Sequence, residues 1–212
     1  MHEEEGRLTE AAGRILVDVA RRSLEAFVRH QTFYEPAQTD LPAAVSRPGA
    51  TFVTLTQWGE LRGCIGTVQA YRDLVSDVAQ NAVAAASRDP RFVPVAVEEL
   101  KSIRLSVSVL TPPKKLIYTD YEDLLARLRP EVDGVVLSWQ ARRSLLLPQV
   151  WERIADPAQF LRSLCLKGHI PEKELRVVPP TVTVSTFQAQ HFYEEGYLEP
   201  GGKAPTTSRP GK

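Results

Sequence analysis

Cysteine is scarce: the 212-residue chain has two, Cys64 and Cys165, far apart in sequence. Two distant thiols give no disulfide framework, so a reduced, cytoplasmic protein is expected. Surplus charge is also missing. Lys+Arg and Asp+Glu both number 26, and no run of five basic residues occurs. That argues against a general nucleic-acid binder, which carries a basic surplus to displace counterions. No stretch approaches the roughly 18 apolar residues of a membrane span. The N-terminal "MHEEEGRLTE" is acidic and lacks the apolar core of a signal peptide. A Gly-rich strand-to-helix phosphate loop is absent, which argues against a dinucleotide-binding or P-loop protein. No internal repeat is found.

What is present is ordinary for a globular chain: 43% apolar and 25% charged residues, with length enough for one large domain or two small ones. Residues 9–30 have the helical stripe Ala12, Ile15, Leu16, Val19, Ala20 and Phe27, with Thr9 as N-cap. "TFVTLTQW" (51–58) alternates like a strand, Gly59-Glu60 suits a hairpin turn, and "LRGCIGTV" returns. A second helix follows from Asp73 and stops before Pro90. "IRLSVSVL" (103–110) alternates, with Ile103, Leu105, Val107 and Val109 inward and Arg104, Ser106 and Ser108 outward. Asp120–Arg129 reads as a short helix, "DGVVLSW" and "RRSLLLP" as a hairpin, and 157–167 as a helix ending at Gly168. "RVVPPTVTVSTF" reads as an edge or bulged strand interrupted by Pro179-Pro180. The class is α+β, with antiparallel sheets and helices packed on one face.

The chemistry centres on "LRGCIGT" (61–67). On a regular strand Arg62, Cys64 and Gly66 share one face, and Leu61, Gly63 and Ile65 the other. A guanidinium beside Cys64 would favour the thiolate, making Arg62 a thiolate stabiliser and Cys64 a nucleophile or acceptor. Gly63 and Gly66 leave room for a ligand or for amide donors to an anion. The plainer alternative is a buried thiol acting as a small hydrophobe, with glycines that let a helix approach.

Other residues carry less. The usual activator of a thiol is a histidine; His30, His169 and His191 are available, and the sequence places none of them near Cys64. Cys165 lies on an apolar helical stripe and reads as a core thiol. Its spacing to His169 gives no second ligand pair, so no metal site and no cofactor are expected. In "RDPRF" (88–92), Asp89-Pro90 is turn chemistry, while Arg88 and Arg91 either bind an anion or cap a helix. Trp58, Trp139 and Trp151 read as core or interface aromatics.

Taken in order, "LRGCIGTVQAYRDLVSDVAQNAVAAASRDPRFVPV", "LSVSVLTPP", "VDGVVLSWQARRSLLLPQVW" and "FLRSLCLKGHIP" resemble the AMMECR domain family over roughly residues 9–195. The resemblance is nearest to its prokaryotic branch, the AmmeMemoRadiSam system protein A. It implies two unequal lobes with a cleft between them near "LRGCIG". The lobes fall at about 1–111 with 171–197, and at about 112–170, within one domain spanning 1–197. Residues 198–212, rich in Pro, Gly, Ser, Thr and Lys, are expected to be a disordered tail. The resemblance carries the family motif onto Leu61 to Thr67, so that Gly63, Ile65, Gly66 and Thr67 line a site, and "DPRF" onto Asp89 to Phe92, adding Arg91. One departure stands out: Gly168-His169 occupies the place of the family's Ala-Gly.

The resemblance also implies association with a Memo-like protein and a radical-SAM protein, and a second copy of the chain is admitted as a partner. It names no reaction. Two functions are therefore open. One is an accessory domain that binds or presents a substrate within a modification pathway. The other is a thiol-dependent enzyme or carrier using Cys64. Whether the chain is an enzyme stays open, and the lack of a second catalytic residue in sequence reach favours the accessory domain.

Overall fold

The computed structural model describes residues 7–36 and 41–205. The chain forms two compact units, Met1–Leu110 with Gln190–Lys212, and Thr111–Ala189.

In the first unit, helix α1 (Glu10–His30) starts where the Thr9 hydroxyl accepts the N–H of Ala12, and it ends at Gln31 in the left-handed region. Strands β1 (Pro48–Gln57) and β2 (Glu60–Gly66) form a hairpin. Two-residue β3 (Arg72–Asp73) pairs with the start of β1. Helix α2 (Leu74–Ser87) follows, capped by the Asp73 carboxylate on the N–H of Ser76. Strand β4 (Ile103–Leu110) lies antiparallel to β1.

In the second unit, β5 (Lys114–Lys115), α3 (Tyr121–Arg127), β6 (Gly134–Trp139), β7 (Arg142–Leu146), α4 (Pro157–Gly168) and β8 (Thr183–Phe187) follow in order. The chain returns to the first sheet as β9 (Ala189–Tyr193). The sheet orders are β2-β1-β4-β9, with β3 beside β1, and β5-β8-β6-β7. The paired strands whose register is defined run antiparallel. The fold is α+β.

Alternation dictates the layers. Val53 and Leu55 on β1, and Ile103, Leu105, Val107 and Val109 on β4, form one core with Leu16, Ala20 and Leu24 of α1 and Val78, Ala82 and Ala85 of α2. The second core gathers Leu124, Val135, Leu137, Leu161, Leu164 and Cys165 around Trp151 and Phe160, whose rings stack at 3.7 Å.

Several expectations are corrected here. The hairpin turn is Trp58-Gly59, with φ of 56° and 79°, and not Gly59-Glu60. Gln57 pairs with Glu60, so both intervening residues take the positive φ of a type I′ turn. Residues 183–187 belong to the second unit and not the first, because β8 pairs with β6 along its length. The alternation in "TVTVSTF" encodes a strand but not its sheet. Nor is β8 an edge strand: it lies between β5 and β6, and Pro179-Pro180 precede it instead of interrupting it. Of the expected disordered tail, residues 198–205 have a defined course, with a bridge between Glu199 and Lys203 and the Gly201 N–H on Gly59 O at 2.9 Å. Residues 206–212 lie outside the described residues. Helix α4 continues through Gly168, and His169 takes the left-handed cap position at φ 51°. Trp58 is 81% exposed, so it is not a core aromatic.

Candidate functional site

The segment 60–66 forms β2, an edge strand of the first sheet. Its alternation is broken once. Leu55 pairs with Gly63 and Thr56 with Leu61, which leaves Arg62 as the extra residue of a β-bulge. Arg62 consequently turns to a different partner. Its Nε and Nη2 donate to Glu99 at 2.7 and 2.9 Å, and its Nη1 donates to Val93 O at 3.0 Å. The guanidinium holds the Glu99 carboxyl below its ordinary value. The expected role of Arg62 as thiolate stabiliser is not what this geometry provides.

Arg91 takes that neighbourhood instead. The turn after α2 brings "DPRF" against the edge of β2. Asp89 is buried, and its Oδ2 accepts the backbone N–H of Cys64 at 2.8 Å. Arg91 donates to the same carboxylate through its backbone N at 3.1 Å, Nε at 2.9 Å and Nη2 at 2.7 Å. Nη2 also reaches Cys64 O at 3.4 Å. Alternate residues of an edge strand point both N–H and C=O away from the sheet, without a strand partner; at Cys64 two side chains of one turn take both. The Arg91 hydrogen bonds, foremost, hold the Asp89 carboxyl far below the usual carboxylate range.

The Cys64 side chain is partly buried, and its Sγ lies 3.3 Å from Thr54 Oγ1. Burial pushes the thiol up. The Thr54 hydrogen bond and the Arg91 charge act the other way, and the Asp89 charge adds to the rise. Ser106 pairs with Thr54 across β1 and β4, and the Tyr197 phenol is pushed up by its own burial, with Ser106 acting the other way. Cys64, Thr54, Ser106 and Tyr197 thus form a row of thiol and hydroxyls on the sheet face away from the helices.

The remaining candidates from the motif are used within the fold. A Cβ on Gly63 would stand 2.3 Å from Ala85 O of α2, so this glycine admits the helix backbone. Ile65 packs on the helical core. The space beside Gly66 is filled by the Phe52 ring, 2.2 Å from the position of a Cβ. Thr67 donates to the buried Asp77 at 2.6 Å, along with Thr51, Arg72 and Asn81. Among the motif's predicted ligand residues, Arg91 alone touches Cys64 and also faces solvent, with its side chain 54% exposed.

The histidines lie elsewhere. His30 is exposed in the last turn of α1, and His169 is exposed at the end of α4. His191 Nδ1 bonds Ser108 Oγ at 2.9 Å, and burial lowers its pKa. It sits on β9, three strands from β2, roughly 14 Å at ~4.8 Å per strand. Cys165 is buried in the second core, its thiol pushed up to about 11 by burial. Among the described residues, no group of three or more His, Cys, Asp or Glu is placed to hold a metal ion.

Sequence reasoning missed Thr54, Ser106 and Tyr197 and read Asp89 only as turn chemistry. Thr54 and Ser106 occupy the polar positions of alternating strands, a usable signal. Tyr197 belongs to the terminal segment, where no periodicity exists to place it.

The comparisons agree over nearly the whole chain. A family profile described as AMMECR1 matches residues 17–192. A protein of Methanothermobacter thermautotrophicus is 38% identical over 190 residues, covering 89% of this chain and 97% of that one. A protein of Thermococcus kodakarensis is 35% identical over 199 residues, covering 89% and 93%. The crystal structure of an uncharacterized protein from Pyrococcus horikoshii superposes with a TM-score of 0.76 at 32% identity, covering 92% of this chain and 96% of that one. With its profile, its relatives and its fold in agreement, this chain belongs to the AMMECR1 family.

Proposed function

We propose that this AMMECR1 domain is a cytoplasmic accessory component, not itself catalytic at Cys64, that binds or presents a substrate to a Memo-like protein and a radical-SAM protein in a modification pathway. The observation that carries this reading is the state of Cys64. Its backbone is clamped by Asp89 and Arg91, its sulfur is bonded to Thr54, and burial favours the neutral thiol. An activated nucleophile needs a base within hydrogen-bond reach or a cation free to stabilise the thiolate. Here both nearby arginines are engaged by carboxylates, Arg62 by Glu99 and Arg91 by Asp89, and the nearest placed histidine chemistry is three strands away.

The test is co-elution on a sizing column with each partner protein, using the wild-type chain and Cys64→Ala. The reading expects a complex with both forms. Failure of the wild-type chain to shift with either partner counts against it. The thiol-dependent reading keeps one supporting observation, the electrostatic pull of Arg91 on Cys64. Iodoacetamide labelling against pH separates the two, with Cys64 and Cys165 counted individually by mass spectrometry. A Cys64 midpoint below the free-thiol value of about 8.5 would restore the enzyme or carrier.

A further inference from the structure

The sheet face away from the helices carries a second pair of reactive side chains. Ser108 of β4 and His191 of β9 come from neighbouring strands, and Ser108 Oγ lies 2.9 Å from His191 Nδ1. That is the reach between a hydroxyl nucleophile and its base. Among the described residues this is the one hydrogen bond of the ring. No buried side-chain nitrogen or oxygen among them lacks a partner, so the unbonded Nε2 reaches solvent. The ring stacks on Tyr193, with centroids 6.2 Å apart and planes 18° apart, which holds its orientation.

We propose that Ser108 and His191 form a nucleophile–base pair that takes the acyl group of a small uncharged ester. This activity is separate from Cys64 and goes beyond the accessory role.

With the serine hydroxyl donating, Nδ1 is the bare base and Nε2 carries the ring proton. Ser108 Oγ attacks the ester carbonyl while its proton passes to Nδ1. The ester C–O bond breaks, and Nδ1 returns that proton to the departing alcohol. Water then attacks the acyl-serine and gives a proton to Nδ1, which hands it to Oγ as the acid leaves.

The surroundings set the substrate class. Ser108 is 6% exposed, which admits a slim acyl group and not a polymer. Ser106 and Leu110 flank it on its own face of β4, and Phe52 stands opposite on β1. The Tyr197 ring lies 5.3 Å from that of Tyr193, and Glu199 is held at the Tyr193 hydroxyl. Arg104, beyond Ser106 on β4, turns its Nη1 to Lys101 O and Ile103 O. Burial lowers the His191 pKa, and no charge among the described residues adds to it or opposes it. The ring is therefore neutral at pH 7, as a base must be, and the pair offers no counter-charge to an ionic substrate.

The experiment is p-nitrophenyl acetate on the full chain. Release of p-nitrophenolate is followed from about pH 5 to 9, with folding checked by circular dichroism at each pH. The acetyl group is located by mass spectrometry after an acid quench. Wild type, Ser108→Ala, His191→Gln and Cys64→Ala are compared. The expected result is acetyl on Ser108 and release about a hundredfold slower in Ser108→Ala and in His191→Gln. Wild-type release should fall about tenfold per pH unit below the His191 pKa, itself below about 6.5, as Nδ1 takes up a proton. Release as fast in Ser108→Ala or in a folded His191→Gln as in wild type overturns the proposal. So does its loss in Cys64→Ala, which would move the reaction to the thiol. If His191→Gln fails to fold, Ser108→Ala and the pH profile decide: a rate that stays level in acid while the chain is folded overturns it. Co-elution reads a different property, so failure of the accessory reading is seen separately.

Discussion

Asp89 accepts the backbone N–H of Cys64 at 2.8 Å, and through this bond a turn after α2 takes the place of a missing neighbour strand. β2 is an edge, and edges left bare invite pairing with other chains. Arg91 completes the substitution on the carbonyl side. Asp89→Ala removes the acceptor and leaves both the Cys64 amide and the Arg91 guanidinium without their buried partner. Its side chain is 2% exposed while that of Arg91 is 54% exposed, so solvent recovers part of the loss. The expected destabilisation is about 2–3 kcal/mol, read from the urea midpoint at pH 7.

Asp89 and His191 are among the groups that give the stability of the chain an acid limit, Glu99 acting in the same direction as Asp89, and the signs agree. The folded-state pKa of Asp89 is depressed. Its contribution is therefore complete above the unfolded value of about 3.9 and is lost as pH falls from there toward the folded value. His191 is depressed by burial, so below about pH 6.5 the unfolded chain gains a proton that the folded chain resists. Urea midpoints are expected to fall first between pH 6.5 and 5, and again below pH 4. His191→Gln should remove the upper step, and Asp89→Asn should diminish the lower one.

Much of this was legible in the sequence. The alternation of "IRLSVSVL" gives β4 and its buried face, and Thr9 caps the helix to which it was assigned. Both functional motifs were visible too, yet their meeting was not. Side-chain alternation puts Arg62 beside Cys64 only if the strand is regular, and a bulge leaves no mark in residue type. Asp89 before Pro90 satisfies turn statistics so well that nothing pointed to a contact 25 residues away. Gly63 could have signalled a ligand or a helix; only the position of Ala85 O decides between them.

That close approach makes Gly63 the motif position least tolerant of a side chain. A Cβ would meet Ala85 O at 2.3 Å and Leu55 Cδ1 at 3.6 Å. The first of these is helix backbone and moves only with α2. Gly63→Ala should cost about 2–3 kcal/mol by forcing α2 and the sheet apart, seen as a lowered urea midpoint. If a ligand cavity occupied this space, the substitution would be mild in stability and severe in binding.

The exchange at the end of α4 predicts a gain. His169 holds a left-handed cap, φ 51°, and is exposed, while Gly168 is buried against Ser144. Glycine adopts that cap conformation without Cβ strain. His169→Gly should stabilise the chain by about 0.5–1 kcal/mol. The bond from Arg142 goes to the His169 carbonyl, which glycine retains. A lower melting temperature would mean that the imidazole contributes a contact worth more than the strain.

Trp58 poses the same problem with a different sequel. It is 81% exposed with φ 56°, at the first central position of a type I′ turn, where asparagine before glycine is the favoured pair. A bulky residue in the left-handed region costs about 1–2 kcal/mol, and an indole so exposed recovers little of that by burial. Gly201 N–H on Gly59 O fixes the tip from behind, so the strain cannot relax by reshaping the turn. Trp58→Asn should therefore raise stability by about 1 kcal/mol, or roughly 2–4 °C in melting temperature for a chain of this size. The informative measurement follows on the same variant: the co-elution test of the proposed function. Retained binding would leave the tryptophan without a use in that complex. A more stable chain that no longer binds would identify the hairpin tip as a contact, since an exposed aromatic on a rigid turn suits an anchor in a partner's pocket.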